Sequence, residues 1–138
     1  MDGLAFVQNL PKHDPMPMAR HFDLKILDVQ RGSVVATAAP DERHENPFRV
    51  VQGGFAATVL DIVLGLVSIT ELTGDMQSVA TTDLSVRYIR AIREDTGLVT
   101  VRGRTIHAGN RVVVAECRLE NAEGNLCAIA QSTSLIGR

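Results

Sequence analysis

An aspartate lies in the middle of the most apolar segment of the 138-residue chain. Asp61 interrupts the run from Phe55 to Ile69, in which most other residues are Ala, Val, Leu or Ile. Burying an ionised carboxylate without partners costs several kcal/mol, so something must compensate it. A carboxylate in apolar surroundings has a raised pKa and suits general-base or nucleophilic chemistry. The alternative is a structural carboxylate that reaches a polar interface or caps a neighbouring backbone.

The residues around Asp61 are small. Residues one helical turn apart share a face, and the stripe through this carboxylate consists of Gly53, Ala57, Asp61 and Gly65, with Thr58 and Ser68 alongside. Such a stripe allows close approach by a ligand or by another helix. It is therefore either the floor of a pocket or a helix-packing seam.

A double glycine, Gly53-Gly54, stands at the start of the same segment, directly after Gln52. A helix N-terminus presents unpaired N–H groups and a partial positive charge, and glycine lets a substrate approach them closely. These groups could stabilise an oxyanion, whereas in the simpler interpretation the glycines only make a turn.

The spacing of the two features limits how they could cooperate. Gly53 and Asp61 are eight residues apart, which is about 12 Å along a helix, whereas both must lie within about 3 Å of one reacting carbonyl or its water. One chain cannot supply both groups to one site. A symmetric dimer with antiparallel helices would place Asp61 of one copy near Gly53 of the other.

The hydrophobic pattern predicts one long helix and six strands. The apolar run carries a charge and is shorter than the about 20 residues of a membrane span, so we expect a core helix that other elements cover almost completely. Strands are predicted at residues 22–29, 33–39, 78–90, 97–107, 111–120 and 125–135. Two strands, a helix and four strands favour an α+β fold in which a strongly curved antiparallel sheet wraps around the helix.

Composition restricts the class of protein. The length indicates a single domain over residues 1–138. A net charge of −2, with no Trp, one Tyr and four Phe, argues against nucleic acid as a partner. Seven of the twelve Arg residues fall within residues 87–118. This cluster is either a solvated strand surface or an anchor for an anionic ligand.

The cysteines and the N-terminus bear on location. Cys117 and Cys127 flank the turn at residues 121–124 and could lie nearly opposite each other on a hairpin. Two cysteines make neither a disulfide framework nor a zinc site, so we expect free thiols in a reducing compartment. The N-terminal residues lack the pattern of a signal peptide, and we expect a cytoplasmic protein with no membrane association.

Residues 44–88 resemble the hotdog-fold thioesterases, in particular their phenylacetate-degradation-type subfamily. The motifs are His44-Glu45-Asn46-Pro47, Gln52-Gly53-Gly54, Asp61, and Thr81-Thr82-Asp83-Leu84-Ser85-Val86-Arg87-Tyr88. The resemblance covers essentially the whole chain and its element order. It implies a hotdog fold and hydrolysis of an acyl-CoA or aryl-CoA thioester in a homodimer, with pairing into a homotetramer left open. It implies neither a cofactor nor a metal.

The resemblance also implies roles by position. The Gly53 N–H would polarise the thioester carbonyl, and Asp61 would activate water or attack as a nucleophile. Asn46 and Thr81 would lie beside the attacking water or the substrate. The residues expected to bind substrate, including the coenzyme A phosphates, are Gln52, Gly54, Arg90, Arg104 and Arg111. Candidates for the acyl or pantetheine path, with core packing as the alternative, are Leu60, Leu64 and Tyr88.

Gln52 departs from the pattern, because many relatives have His before the two glycines. His44 and His107 are side candidates, and we expect both to face solvent. A hotdog hydratase or dehydratase acting on enoyl- or 3-hydroxyacyl-thioesters is one alternative, although it would pair a carboxylate with a catalytic His. A non-catalytic acyl-CoA-binding module, with Asp61 in a structural role, is the other.

Overall fold

Six antiparallel strands and one long helix dominate the structure, a computed structural model that describes residues 2–75 and 77–137. The α-helices are α1 (Gly3–Gln8) and α2 (Gly53–Thr70). The strands are β1 (Lys25–Gln30), β2 (Ser33–Ala38), β3 (Ser78–Tyr88), β4 (Val99–Ala108), β5 (Val112–Glu120) and β6 (Leu126–Gly137). Short 3-10 helices cover Pro17–Phe22, Glu42–His44 and Glu94–Thr96. The predicted α+β class, the long helix and the six strands are confirmed.

The strands form one sheet in the order β1-β2-β4-β5-β6-β3. Helix α2 follows β2 in the chain and leads to β3, so it connects one side of the sheet to the opposite edge. The first strand begins at Lys25 rather than at residue 22, because Pro17–Phe22 forms a 3-10 helix that ends at Asp23 in the left-handed conformation, with φ of 48°.

Helix α2 packs closely on one face of the sheet. A Cβ atom at Gly103 of β4 would lie 2.9 Å from a methyl group of Val63 and 2.9 Å from one of Val67. Both valines are fully buried. The absence of a side chain at Gly103 therefore lets the helix lie directly on the strand backbone, and dispersion contacts along this seam hold the two layers together.

The C-terminal end of α2 is tied to the β1–β2 turn. The Gly32 N–H donates to Oγ1 of Thr70 at 2.9 Å, and Nη1 of Arg31 donates to the Thr70 carbonyl at 2.7 Å. Gly32 has a φ of 78°, a conformation that favours glycine. These bonds satisfy polar groups that a helix end leaves unpaired and set the direction in which α2 crosses the sheet.

The sheet covers only part of α2, so the prediction of an almost completely covered helix is wrong. Gly54 and Asp61 are exposed, and Ala57, Thr58 and Gly65 are half-buried. The reason is the strand order: β3 is an edge strand, and within residues 2–75 and 77–137 no element lies beyond it. The uncovered stripe, which we define as Gly54, Ala57, Thr58, Asp61 and Gly65, runs along the side of α2.

Strand β3 itself is unusually open. Nine of its eleven residues are exposed and the remaining two are half-buried. Its outer edge has no strand partner within the described residues. An exposed edge of this length is a template for pairing with another chain.

The two cysteines do not face each other. Cys117 of β5 is in register with Ala130 of β6, not with Cys127. Both are free and buried, and burial raises the pKa of each thiol. The prediction that they lie nearly opposite is wrong, because the turn places Glu120 across from Leu126 and shifts the register there.

Within the part of the chain described, α2 is the helix that meets the length and apolarity of a membrane span. Eleven of its residues are buried within the chain, which is the behaviour of a core helix.

Candidate active site at the start of helix α2

The first two residues of α2 offer unused backbone donors. Gly53 and Gly54 open the helix, and their N–H groups make no hydrogen bond to any residue in ranges 2–75 and 77–137. Gly54 is exposed, with open space where a side chain would stand. The positive end of the helix macrodipole lies here, so the geometry suits a developing negative charge.

Gln52 precedes the helix and leaves its side chain free. Its N–H donates to the His44 carbonyl at 2.7 Å and its carbonyl accepts from Phe55 N–H at 2.9 Å. The Gln52 side chain is exposed and does not cap the helix. The backbone of Gln52 therefore fixes the entry into α2, while its amide is available to a bound molecule.

His44 has a structural role in the chain, so the expectation that it faces solvent is wrong. Its Nδ1 accepts from the Asp41 N–H at 3.0 Å, and its Nε2 lies 2.9 Å from the His21 carbonyl, which requires the proton on Nε2. The ring stacks on Phe22 and contacts Phe55, and only 10% of the side chain is exposed. His107, by contrast, is exposed as expected.

Asn46 shapes the loop that faces the helix start. Its Oδ1 accepts from the Phe48 N–H at 2.9 Å and from the Val50 N–H at 3.3 Å, an Asx-type turn. The side-chain NH₂ group makes no hydrogen bond within the described chain, and the residue is half-buried. Asn46 can therefore hold the loop with its oxygen and donate to a ligand with its nitrogen.

Two grooves flank the start of α2. One, of about 420 Å³, is lined by Asn46, Gln52 and Gly54. The other, of about 320 Å³, is lined by Gly53, Tyr88 and Arg90 among others. The structure thus brings together five of the residues predicted as catalytic or substrate-binding, Asn46, Gln52, Gly53, Gly54 and Arg90.

Asp61 lies two turns further along α2, on the uncovered stripe. Its carboxylate has no hydrogen bond or ion pair with any described residue, and it is exposed in the single chain rather than buried as predicted. Partial burial of the Asp61 carboxylate still raises its pKa above the ordinary value for aspartate, because desolvation disfavours the charged form. A carboxylate without a cation beside it keeps its affinity for a proton, as a general base requires.

The other predicted site residues are further apart. Thr81 is exposed on β3 and in register with buried Ser134, which places it on the same sheet face as α2. Arg111 is exposed just before β5, and its carbonyl accepts from the Ile136 N–H near the end of β6. Arg104 lies on the opposite sheet face from Gly103 and pairs with Glu116.

Of the three candidates for the acyl path, two are core residues. Leu60 and Leu64 are almost completely buried, which confirms the packing alternative, whereas Tyr88 is 56% exposed. Sequence reasoning missed the contact that Tyr88 makes with Gly53. Its hydroxyl donates to the Gly53 carbonyl at 2.8 Å, and no local pattern links residues 35 positions apart.

Comparison with known proteins places this arrangement in a class. A single helix packed on a six-stranded antiparallel sheet is the hotdog fold. A phenylacetic acid degradation-related protein of Ralstonia eutropha JMP134 shares it with a TM-score of 0.82 and 27% identity, over 94% of this chain and 98% of that one. A Streptococcus mutans UA159 protein bound to acetyl CoA shares the fold with a TM-score of 0.75 and 24% identity, over 83% and 88%.

The sequence comparisons name the family. The Thioesterase superfamily model matches residues 48–128, and the chain belongs to that superfamily. The 1,4-dihydroxy-2-naphthoyl-CoA hydrolase of Escherichia coli K12 is 27% identical over 121 residues, which cover 86% of this chain and 85% of that protein. The medium/long-chain acyl-CoA thioesterase YigI of the same strain is 31% identical over 100 residues, covering 64% and 63%.

Replacing His44 tests its structural role. The His44→Ala variant should lose about 2–4 kcal/mol of unfolding free energy, because two hydrogen bonds and the ring contacts disappear. His107→Ala, the matched control at an exposed site, should change it by less than about 0.5 kcal/mol. Urea unfolding measures both. A His44→Ala protein as stable as the control but enzymatically dead would instead make His44 a catalytic group.

Proposed function

We propose that the chain is an acyl-CoA thioesterase that hydrolyses an acyl- or aryl-CoA to the free acid and coenzyme A. The observation that carries the proposal is the pair of unused N–H groups at Gly53 and Gly54, at the start of the helix that bears Asp61, with Gly54 exposed beside Asn46. Membership of the Thioesterase superfamily supports the reaction class. Hydrolases of a naphthoyl-CoA and of medium- and long-chain acyl-CoAs among the relatives support a coenzyme A thioester as substrate.

The active site in this proposal is shared between two copies. Gly53 and Asp61 are about 12 Å apart along α2 and cannot serve one carbonyl within a chain. Antiparallel packing of two α2 helices along the uncovered stripe would bring Asp61 of each copy to Gly53 of the other. Two observations support this packing: the described residues leave the stripe exposed at Gly54 and Asp61 and half-buried at its other positions, and edge strand β3 runs beside it with no strand paired to its outer edge among those residues.

The chemical step follows from the two groups. The Asp61 carboxylate takes a proton from water as the water oxygen adds to the thioester carbonyl carbon. The carbonyl oxygen becomes an oxyanion that accepts hydrogen bonds from the Gly53 N–H, with Gly54 beside it. The oxyanion then collapses, the C–S bond breaks, and the departing sulfur takes the proton from Asp61. In the nucleophilic variant, Asp61 adds to the carbonyl carbon itself, the C–S bond breaks, and coenzyme A departs as the thiolate. Water then hydrolyses the anhydride to the free acid and the Asp61 carboxylate, and the proton released goes to the thiolate.

The remaining site residues surround this centre. Asn46 donates from its free NH₂ group and Thr81 offers its hydroxyl to the water, while Gln52 contacts the substrate. Arg90 lines the groove beside Gly53 and is the first candidate for a coenzyme A phosphate. Arg111 is exposed and available for the same purpose. Arg104 would have to give up its ion pair with Glu116 and is the weakest of the three.

The two free cysteines are typical of a protein that functions in the reducing cytoplasm. We propose that location together with the homodimer, which two such dimers could extend to a homotetramer.

Asp61→Asn tests the reaction and the base together. Release of free thiol from aromatic, short-chain and long-chain acyl-CoAs should fall by about 10²–10⁴-fold, the typical contribution of a general base. Asp28→Asn, a matched change of an exposed carboxylate on β1, should keep full activity. The variant should stay folded, because a raised pKa means that folding disfavours the charged form of Asp61 and the neutral amide removes that penalty.

Each alternative predicts a different result in the same assay. A wild-type protein that binds acyl-CoA but releases no thiol would be a binding module, and one that hydrates an enoyl-CoA without releasing thiol would be a hydratase. Full hydrolysis by folded Asp61→Asn would remove Asp61 from the mechanism.

The pH dependence of wild-type kcat/KM reports the same carboxylate. Only ionised Asp61 accepts a proton, so the rate should rise with pH through an inflection above the ordinary aspartate pKa of about 3.9, because burial raises this pKa. The residual activity of Asp61→Asn should lack this inflection. An unchanged inflection in the variant would assign it to another group.

A further inference from the structure

The first turn of α2 is weakly fixed by its own sequence. Two successive glycines have more backbone freedom to lose than any other pair of residues. The N-cap residue Gln52 adds no side-chain hydrogen bond to the turn. Because oxyanion stabilisation depends on donors held in place before the reaction, this turn needs an external support.

Tyr88, at the end of β3, supplies a direct contact to this turn. Its hydroxyl donates to the Gly53 carbonyl at 2.8 Å. Its ring lies against the same residue, since a Cβ atom at Gly53 would be 3.1 Å from the ring carbon Cζ and 3.1 Å from the hydroxyl oxygen. The absence of a side chain at Gly53 therefore lets the tyrosine reach the helix backbone.

The strand holds Tyr88 firmly in this position. Tyr88 is in register with Ala128 of β6. Directly after it, the N–H groups of Ile89 and Arg90 both donate to the Cys127 carbonyl, at 2.8 and 3.1 Å. The tyrosine thus reaches the helix from an ordered part of the sheet rather than from a loop.

We propose that Tyr88 is a positioning residue that fixes the backbone donors of the oxyanion hole. The Gly53 carbonyl and the Gly54 N–H belong to one planar peptide group and point in opposite directions. A hydrogen bond to the carbonyl therefore sets the direction of the N–H. It also polarises the peptide group, which strengthens the N–H as a donor. The contact between the Tyr88 ring and Gly53 holds the second donor, the Gly53 N–H, in place.

This inference rests on the proposed thioesterase function, and Tyr88→Phe tests it. Phenylalanine keeps the ring against Gly53 but lacks the hydroxyl. We expect kcat to fall by about 10- to 100-fold, the effect of a slightly misplaced catalytic group, with KM and the Asp61 inflection unchanged. Ser85→Ala removes a hydroxyl from the outer face of the same strand and should leave kcat unchanged.

A second measurement does not depend on activity. In protein labelled with ¹⁵N-glycine, Tyr88→Phe should shift the Gly54 amide resonance, whereas glycines far from the site, such as Gly124, should be unaffected. Unchanged glycine resonances would overturn the proposal. So would a variant whose kcat equals that of an active wild-type enzyme, or one whose only change is a higher KM. A wild-type enzyme that hydrolyses no acyl-CoA would instead overturn the proposed function, and the catalytic role of Tyr88 with it.

Discussion

Helix α2 lies against the sheet at Gly103, where Val63 and Val67 take the space that a side chain would fill. This contact sets how closely the helix approaches the strands and which of its faces is buried. Thr70 and the β1–β2 turn then hold the far end of the helix. With these contacts satisfied, the small residues around Asp61 face away from the core, and the glycines at the start of the helix face the grooves.

The uncovered stripe is the main consequence of this arrangement. A sheet of six strands that ends at β3 covers the apolar sides of α2 but stops short of Asp61. The carboxylate is therefore neither compensated inside the chain nor fully hydrated, and its pKa is raised. In the proposed dimer a second helix would complete the cover and bring the missing oxyanion donors. Because Gly53 and Asp61 are too far apart along α2 to form a site within one chain, a symmetric dimer would contain two sites, each with one group from either copy.

The sequence predicted the elements well because their signals are local. Strands β4 to β6 alternate and are separated by short turns such as that at Gly124, with φ of 85°. The exposure of Asp61 was mispredicted because it depends on how many strands cover the helix. His44 is held by contacts with Phe22 and the His21 carbonyl, and the Tyr88 hydroxyl donates to the Gly53 carbonyl. Both arise from distant parts of the chain, as does the strand register that turns Arg104 away from α2.

A mixed dimer tests the shared site most directly. Gly53→Pro removes the Gly53 N–H at the first helical position, where the backbone accepts proline after a Gln52 with φ of −59° and ψ of 141°. The proline ring also displaces Tyr88 of the same copy, so both effects fall on the oxyanion donors of that copy. Gly53→Pro and Asp61→Asn should each lose about 10²-fold or more of the activity when alone. Unfolded together and refolded as an equal mixture, they should recover about a quarter of wild-type activity, because half of the dimers contain one intact site. No recovery in dimers shown to be mixed would contradict a site built from two copies.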